Sequence, residues 1–318
     1  MKSNQYDLLI IGAGGTGLAS AMYAARLGLK TLVLGASHSS ELPIGGVITT
    51  TDLVENFPGF KRISGMELVK KIEEQARDYD LVTIKEEKAL EIKKSVHCFF
   101  VKTNKETYQT KTILFATGTK WRKLEVPGSK EFENKGVYYC ALCDGPLFRN
   151  KIVAVVGSGD SAVKEAFVLS RYAKKVFLIV RGPKVHPEPI NLNRLKKNKK
   201  VEVILNTNVI EMKGDNLLKK AILDKTYKGK KEINLDGIFI SIGHLPISDL
   251  AKTVGVKLNE KGEIKINHET TETNIKGIFA AGDVTDTKFK QLIIGVADGC
   301  SAAYFAYEYI TKGKVITC

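Results

Sequence analysis

Two glycine-rich turns of one design, beginning at Gly12 and Gly157, set what this 318-residue chain can fold into. The first follows the apolar run Leu8-Leu9-Ile10-Ile11, reads Gly12-Ala13-Gly14-Gly15-Thr16-Gly17 and opens a segment of helical character from Leu18 to Leu27. The second follows Ile152-Val153-Ala154-Val155-Val156, reads Gly157-Ser158-Gly159-Asp160-Ser161-Ala162 and opens Val163 to Tyr172. Each predicts strand, tight turn, helix. Glycine permits the sharp bend and the close approach of backbone to a pyrophosphate, while the first N–H groups of the helix face the anion. A single turn of this kind is weak evidence, because a plain loop between a strand and a helix reads the same way. Two copies in the required context predict two dinucleotide sites. Between them lies Cys140-Ala141-Leu142-Cys143-Asp144, so the chain order suggests a relay from one dinucleotide to another and on to a dithiol.

The length suits two domains of ordinary size, and 43% apolar with 26% charged residues is the composition of a soluble globular protein with a core in each. No apolar stretch has signal-peptide form or spans a bilayer, which predicts a cytoplasmic protein. Five cysteines, an odd number in a chain this large, do not form the framework of a secreted disulfide scaffold. Cys98 and Cys300 read as buried structural thiols and Cys318 as a terminal bystander. The net charge of +14 is not a nucleic-acid footprint, because 41 of the 49 basic residues are Lys and they are spread along both halves. The densest cluster, Lys196-Lys197-Asn198-Lys199-Lys200, closes a polar helix and reads as a solvated face; a secondary consequence is attraction towards acidic protein partners.

After a helix from Gly65 to Tyr79, short alternating segments between Glu86 and Thr112 predict antiparallel strands that end in Ile113-Leu114-Phe115-Ala116-Thr117-Gly118. The same succession recurs: strands around Val201 to Val209 and Lys219 to Asp224, then Leu235 to Gly243. The C-terminal stretch adds the strand Gly277-Ile278-Phe279-Ala280-Ala281-Gly282-Asp283 and a helix from about Gln291 to Thr311. A carboxylate at such a strand end accepts hydrogen bonds from cofactor hydroxyls, most simply a ribityl chain. The predicted fold is α/β: two Rossmann-like, three-layer ββα nucleotide-binding domains, the second inserted into the first. Residues 1–118 and 248–318 form an FAD-binding domain, and residues 119–247 form a nicotinamide-nucleotide-binding domain carrying the CxxC.

The Cys140/Cys143 pair is read as redox-active rather than metal-binding. A structural zinc site needs two further Cys or His ligands at close spacing, and the nearest, His97 and His186, are isolated. No metal is expected. Two-residue spacing lets a small-loop disulfide form, and a helix N-terminus or a nearby charge lowers one thiol's pKa. Asp144 is read as the group that exchanges a proton with a thiolate; a turn Asp before Gly145-Pro146 is the alternative.

With these residues in place the chain resembles low-molecular-weight thioredoxin reductases across nearly its whole length. The matches are Gly12 to Gly17, Thr49-Thr50-Thr51 with Val54-Glu55-Asn56-Phe57-Pro58-Gly59, Ala116-Thr117-Gly118, Cys140 to Gly145, Gly157 to Ala162, and Gly282-Asp283 followed by Lys290-Gln291-Leu292. The resemblance implies a homodimeric flavoprotein. FAD would be held by Gly12, Gly14, Gly15, Gly17, Gly46, Asn56, Ala116, Thr117, Gly118, Gly282, Asp283, Lys290, Gln291 and Leu292, with Glu41 a candidate for the missing acid after the second strand. NADPH or NADH would be held by Gly157, Gly159, Asp160, Ser161, Arg181 and Lys184. It further implies that Cys143 faces the flavin, that Cys140 attacks the disulfide of a thioredoxin-like protein, and that the domains rotate about hinges at Gly118-Thr119 and Gly243-His244.

Several residues depart from the family pattern. Many relatives follow the strand of the second site with His-Arg-Arg and a later Arg that clamp the adenosine 2′-phosphate; here the residues are Val180-Arg181-Gly182, with His186 near the place of the later Arg. No acidic residue that would favour NADH stands there either. The helix after the second turn reads Ala162-Val163-Lys164-Glu165 where relatives carry two Glu residues, and Val47 follows Gly45-Gly46 where relatives often place Gln. The expected activity is disulfide reduction by NADPH, in preference to NADH, through FAD and Cys140/Cys143. Reduced ferredoxin or another carrier as donor, or reverse running as a dithiol oxidase, is the alternative. A flavin-binding redox sensor with little turnover is the alternative of another class.

Overall fold

The computed structural model describes residues 4–35 and 44–312, so Glu41 and Cys318 lie outside the described residues. The chain divides into two compact units: one comprises the residues up to Lys120 and from Leu245 onward, the other Trp121–His244.

In the first unit, β1 (Gln5–Ile11) turns Leu8 and Ile10 to one face and Leu9 and Ile11 to the other, and all four are buried, which makes it an interior strand. The segment α1 (Gly15–Arg26) leads to β2 (Thr31–Leu34), and α2 (Gly65–Arg77) leads to β3 (Val82–Lys85). The strands β4 (Ala89–Lys94) and β5 (Phe99–Thr103) form a meander into β6 (Thr107–Phe115). The sheet order is β3-β2-β1-β6-β5-β4, parallel from β3 to β6 and antiparallel through β5 and β4. Leu8, Ile10, Val33 and Leu114 pack on Leu18, Ala21 and Ala24 of α1. On the opposite face Leu9, Ile11, Leu34 and Phe115 meet Ile92, Phe99, Val101 and Tyr108. Each large apolar side chain so buried contributes about 1.5–3 kcal/mol.

The chain crosses to the second unit through β7 (Thr119–Trp121). There β8 (Val137–Tyr138), α3 (Ala141–Asp144), β9 (Ile152–Val156), α4 (Asp160–Tyr172), β10 (Lys175–Ile179), α5 (Pro189–Lys197) and β11 (Val201–Ile204) precede the antiparallel β12 (Val209–Gly214), β13 (Leu218–Tyr227) and β14 (Lys230–Asn234); β15 (Gly237–Ile240) completes the unit. The parallel sheet has the order β11-β10-β9-β15-β8. Val153, Val155 and Leu178 face Val163, Ala166 and Leu169 of α4, whereas Ala154, Ile179 and Ile240 face Met212, Ala221 and Leu223 of the antiparallel sheet. Both units are therefore helix, parallel sheet and antiparallel strands in three layers, as expected.

Two segments differ from expectation. The stretch from Val201 to Val209 divides at Asn206, whose φ of 53° breaks the extended run, and its parts join different sheets. The strand through Asp224 continues to Tyr227 and reverses at Lys228 and Gly229, with φ of 48° and 81°, to pair Tyr227 with Lys230.

The chain returns through β16 (His244–Pro246), which runs beside β7. Gly118 and Gly243, next to these crossings, have φ of 62° and 104°. After α6 (Asp249–Thr253), β17 (Ile278–Ala280) pairs in parallel with the C-terminal half of β6, and α7 (Leu292–Lys312) packs against α1. Glycine makes that approach possible: a Cβ on Gly299 would lie 2.4 Å from the Thr16 carbonyl oxygen.

Candidate active site

The first turn separates glycines that folding requires from one that it does not. A Cβ on Gly12 (φ 117°) would lie 2.2 Å from the Ala116 carbonyl oxygen, and one on Gly17 2.0 Å from the Gly12 carbonyl oxygen. Gly14 has φ −77°, and its Cβ would meet only the Gly45 carbonyl oxygen, at 3.7 Å. Gly14 is also the N-cap of α1, with no side-chain capping bond. By contrast α2 is capped by Ser64, whose hydroxyl accepts the Glu67 N–H at 3.1 Å. An uncapped helix start beside an open glycine is the shape a pyrophosphate takes. The residues of the first turn fit that group.

Other expected residues gather around it. Gly46 (φ 71°) approaches Gly14, Leu292 packs on Gly15, and Gly282 (φ 75°) lies against Thr16. The Asn56 amide donates to Gln291 Oε1 at 3.0 Å, joining the segment before α2 to the start of α7. Thr117 donates its hydroxyl to the Ile247 carbonyl at 2.6 Å. Lys290 Nζ donates to the carbonyls of Asp283 (2.8 Å) and Thr285 (2.6 Å) and pairs with Glu263 at 3.0 Å, so it braces the turn that carries Asp283.

The second turn repeats the pattern. A Cβ on Gly157 (φ 153°) would lie 2.1 Å from the Ser241 carbonyl oxygen, whereas Gly159 has φ −83° and nothing within 4 Å. Ala162 occupies the third glycine's place and is buried. Gly159 caps α4 without a side-chain bond. Asp160 is held within the unit: it accepts the Glu188 N–H at 3.0 Å and the Asn191 amide at 2.8 Å, and it pairs with Lys164 at 2.7 Å. Burial alone would raise its pKa, but these bonds outweigh it and the pKa is lowered. Ser161, Arg181, Lys184 and His186 are exposed, and the His186 N–H donates to the Ser158 carbonyl at 2.6 Å.

Cys140 and Cys143 form a disulfide with Cα atoms 5.4 Å apart. Cys140 is buried and caps α3, its sulfur accepting the Cys143 N–H at 3.1 Å; Cys143 is exposed. Burial raises the pKa of the half-buried Asp144. Sequence reasoning missed the next member of the site. Glu165 on α4 accepts the Ala141 N–H on Oε2 at 2.5 Å. Burial of its carboxyl, reinforced by the Asp144 charge and opposed by the Ala141 N–H, pushes its pKa up to about 8. One signal was legible: Glu165 stands with Ala162, Ala166 and Leu169 on the inner stripe of α4, an unusual place for an acid.

Cys98 is buried, with its sulfur accepting from Gln109, while Cys300 is only partly buried, although its burial pushes the thiol up to about 11. Among the described residues no group of three His, Cys, Asp or Glu gathers as a metal site requires. No helix there is long and apolar enough to cross a membrane.

Residues 6–299 match the family model of pyridine nucleotide-disulphide oxidoreductases. The chain is 38% identical to the 34.2 kDa protein in the rubredoxin operon of Clostridium pasteurianum, covering 97% of this chain and 98% of that protein. It is 36% identical to thioredoxin reductase 1 of Saccharomyces cerevisiae, covering 95% and 97%. Its fold matches the crystal structure of Lactococcus lactis thioredoxin reductase with a TM-score of 0.90 at 36% identity, over 96% of this chain and 99% of that one. With two glycine-rich strand–turn–helix units and the Cys140–Cys143 disulfide between them, the chain belongs to the pyridine nucleotide-disulphide oxidoreductase family and is an oxidoreductase similar to the low-molecular-weight thioredoxin reductases.

Proposed function

We propose that the protein is a flavin-dependent thioredoxin-disulfide reductase, which passes electrons from a reduced nicotinamide, NADPH in preference to NADH, through FAD to Cys140–Cys143 and on to thioredoxin or a thioredoxin-like protein. The carrying observation is the Cys140–Cys143 pair set beside the carboxyls of Asp144 and Glu165 in the unit that bears the second glycine turn. Bound FAD would supply the two-electron chemistry that joins a hydride donor to a disulfide. The first turn would hold its pyrophosphate on the α1 N-terminus, and Asn56–Gln291 and Gly282–Asp283 would orient the rest.

Opening Cys140–Cys143 to one thiol and one thiolate takes two electrons and one proton. Cys143, the exposed sulfur, is the one a flavin ring would approach. The sulfur of Cys140, already accepting an N–H, is suited to carry a thiolate and to attack the partner disulfide. Asp144 would give Cys143 that proton as the disulfide opens and take it back when the disulfide re-forms. The first unit would mediate homodimer formation, since Tyr23, Met66 and Tyr304 leave apolar surface on its helices for a second copy to cover.

Thioredoxin-dependent turnover with NADPH or NADH is the test, and the Cys140→Ser protein should have none while keeping FAD. A second reading is favoured by one observation: beyond β10 the cations Arg181 and Lys184 are exposed where relatives place a cluster of Arg. If neither nucleotide bleaches the flavin and reduced ferredoxin does, the same relay runs from a different donor.

A further inference from the structure

Glu165 has a place in the dithiol site that the electron relay alone does not require. It lies on α4, which packs against α3, and its carboxylate accepts the N–H of Ala141, the residue between Cys140 and Leu142, at 2.5 Å. Asp144 stands at the far end of the same one-turn α3, and its charge adds to the rise in the Glu165 proton affinity that burial causes. Two carboxyls at the two ends of so short a helix, both partly shielded from water, do not both ionise readily, because the charge of one raises the proton affinity of the other. We propose that Glu165 is a positioning residue for the dithiol, and that with Asp144 it forms a two-carboxyl site keeping one proton beside Cys140 and Cys143 through the redox cycle.

The proton balance follows. Reduction of the disulfide by two electrons gives one thiolate, on Cys140, and, with the proton held by the pair, one thiol, on Cys143; the pair is then left with both carboxyls ionised until that proton returns. When Cys140 attacks the partner disulfide, the first partner thiolate leaves. Cys143 then gives its proton back to the pair and closes the intramolecular disulfide, releasing the second partner thiolate. Glu165 touches no reacting atom. It holds the N-terminal end of α3 and, through Asp144, sets when the proton is available.

Charged groups on the adjoining elements have partners of their own. On α4, Lys164 is bonded to Asp160. On α5, Arg194 donates to Asn191. After α3, the Arg149 guanidinium lies over the Tyr172 ring at 5.9 Å and Lys151 over the Phe148 ring at 5.5 Å. On β10 and β11, Lys175 and Glu202 pair at 2.8 Å. Tyr138 on β8 is a further titratable neighbour, its pKa raised by burial and by the charge of Asp144.

The inference rests on the proposed role of the dithiol, but its test needs no flavin, nucleotide or thioredoxin. The full-length protein is reduced with dithiothreitol, and the rate of iodoacetamide alkylation at Cys140 and Cys143 is followed against pH by mass spectrometry. In the wild type the rate should rise in two steps, because the thiol and the carboxyl pair titrate together. Glu165→Gln keeps an oxygen for the Ala141 N–H and removes the charge, so the rise should contract to a single-proton step with its midpoint lower by about half to one pH unit. Asp144→Asn dissolves the pair from the other side and should contract the profile likewise, which settles the matter if Glu165→Gln does not fold. Profiles of both variants superimposable on the wild type would overturn the proposal. A dithiol that alkylates as proposed yet reduces no thioredoxin would instead count against the assigned function.

Discussion

Replacing Gly14 by Ala separates what the first turn needs in order to fold from what a ligand needs. The new Cβ would meet the Gly45 carbonyl oxygen at 3.7 Å, an ordinary contact, and φ of −77° is open to any residue. The substitution forfeits a glycine N-cap, worth a few tenths of a kcal/mol to about 1 kcal/mol against Ala. It also removes unfolded-state entropy worth about 0.4–1 kcal/mol. The two nearly cancel, so the flavin-free protein should keep its stability to within about 1 kcal/mol. The same methyl stands on the open side of the turn, where a pyrophosphate would approach the backbone. Forcing a methyl into a tight contact costs about 1–3 kcal/mol, or roughly 5- to 140-fold in Kd. Gly17→Ala is the contrast: its Cβ would lie 2.0 Å from the Gly12 carbonyl oxygen, which has no flexible end to move. The assays are FAD titration by fluorescence quenching and thermal unfolding of the flavin-stripped proteins. Gly14→Ala should lose FAD affinity and keep its Tm, while Gly17→Ala should lose Tm. Wild-type FAD affinity in Gly14→Ala, or a loss of Tm equal to that of Gly17→Ala, would overturn this role for Gly14.

Further outcomes follow from the same geometry. Gly159→Ala, with nothing within 4 Å of the added Cβ, should leave Tm unchanged and raise the nucleotide concentration needed to bleach the flavin, read by stopped-flow absorbance. The Glu165 carboxyl, raised from 4.5 to about 8, binds a proton in the folded protein that the unfolded chain has already lost. Its contribution is therefore least unfavourable below about 4.5 and increasingly destabilising as pH rises to about 8, and Glu165→Gln should flatten the fall of the urea midpoint across that window. Glu202 is lowered to about 2 by bonds from Lys175, Lys228 and Tyr227, so its contribution is present above the ordinary carboxylate range and lost as pH falls towards 2. Because the cluster is solvent-screened, Glu202→Gln should cost about 1 kcal/mol or less in urea unfolding, with the difference shrinking in high salt.

Much of this architecture was legible because it rests on short-range rules. The glycine turns announced β1–α1 and β9–α4, since a buried strand followed by a backbone-closing glycine has few other uses. The same logic located β17 and α7 and so returned the chain to its first unit. The hairpin at Lys228-Gly229 was missed because only Gly229 signals a turn and Lys228 adopts its left-handed conformation without a side-chain cue. In the site, the cysteines and Asp144 were readable as a contiguous motif. Glu165 was not, because its contact with Ala141 spans 24 residues and exists only once α4 packs on α3. The commitment of Asp160 to Asn191 was hidden for the same reason: it depends on where α5 returns, which no local pattern fixes.

In the proposed relay a reduced nicotinamide delivers electrons to Cys140–Cys143. The direct measurement adds NADPH, and separately NADH, to the FAD-loaded protein under anaerobic conditions, quenches with iodoacetamide at intervals and locates the label by peptide mass. The account predicts that flavin bleaching is followed by labelling at both Cys140 and Cys143, and that oxidised thioredoxin removes it. A flavin that bleaches while the Cys140–Cys143 peptide stays unlabelled would contradict it.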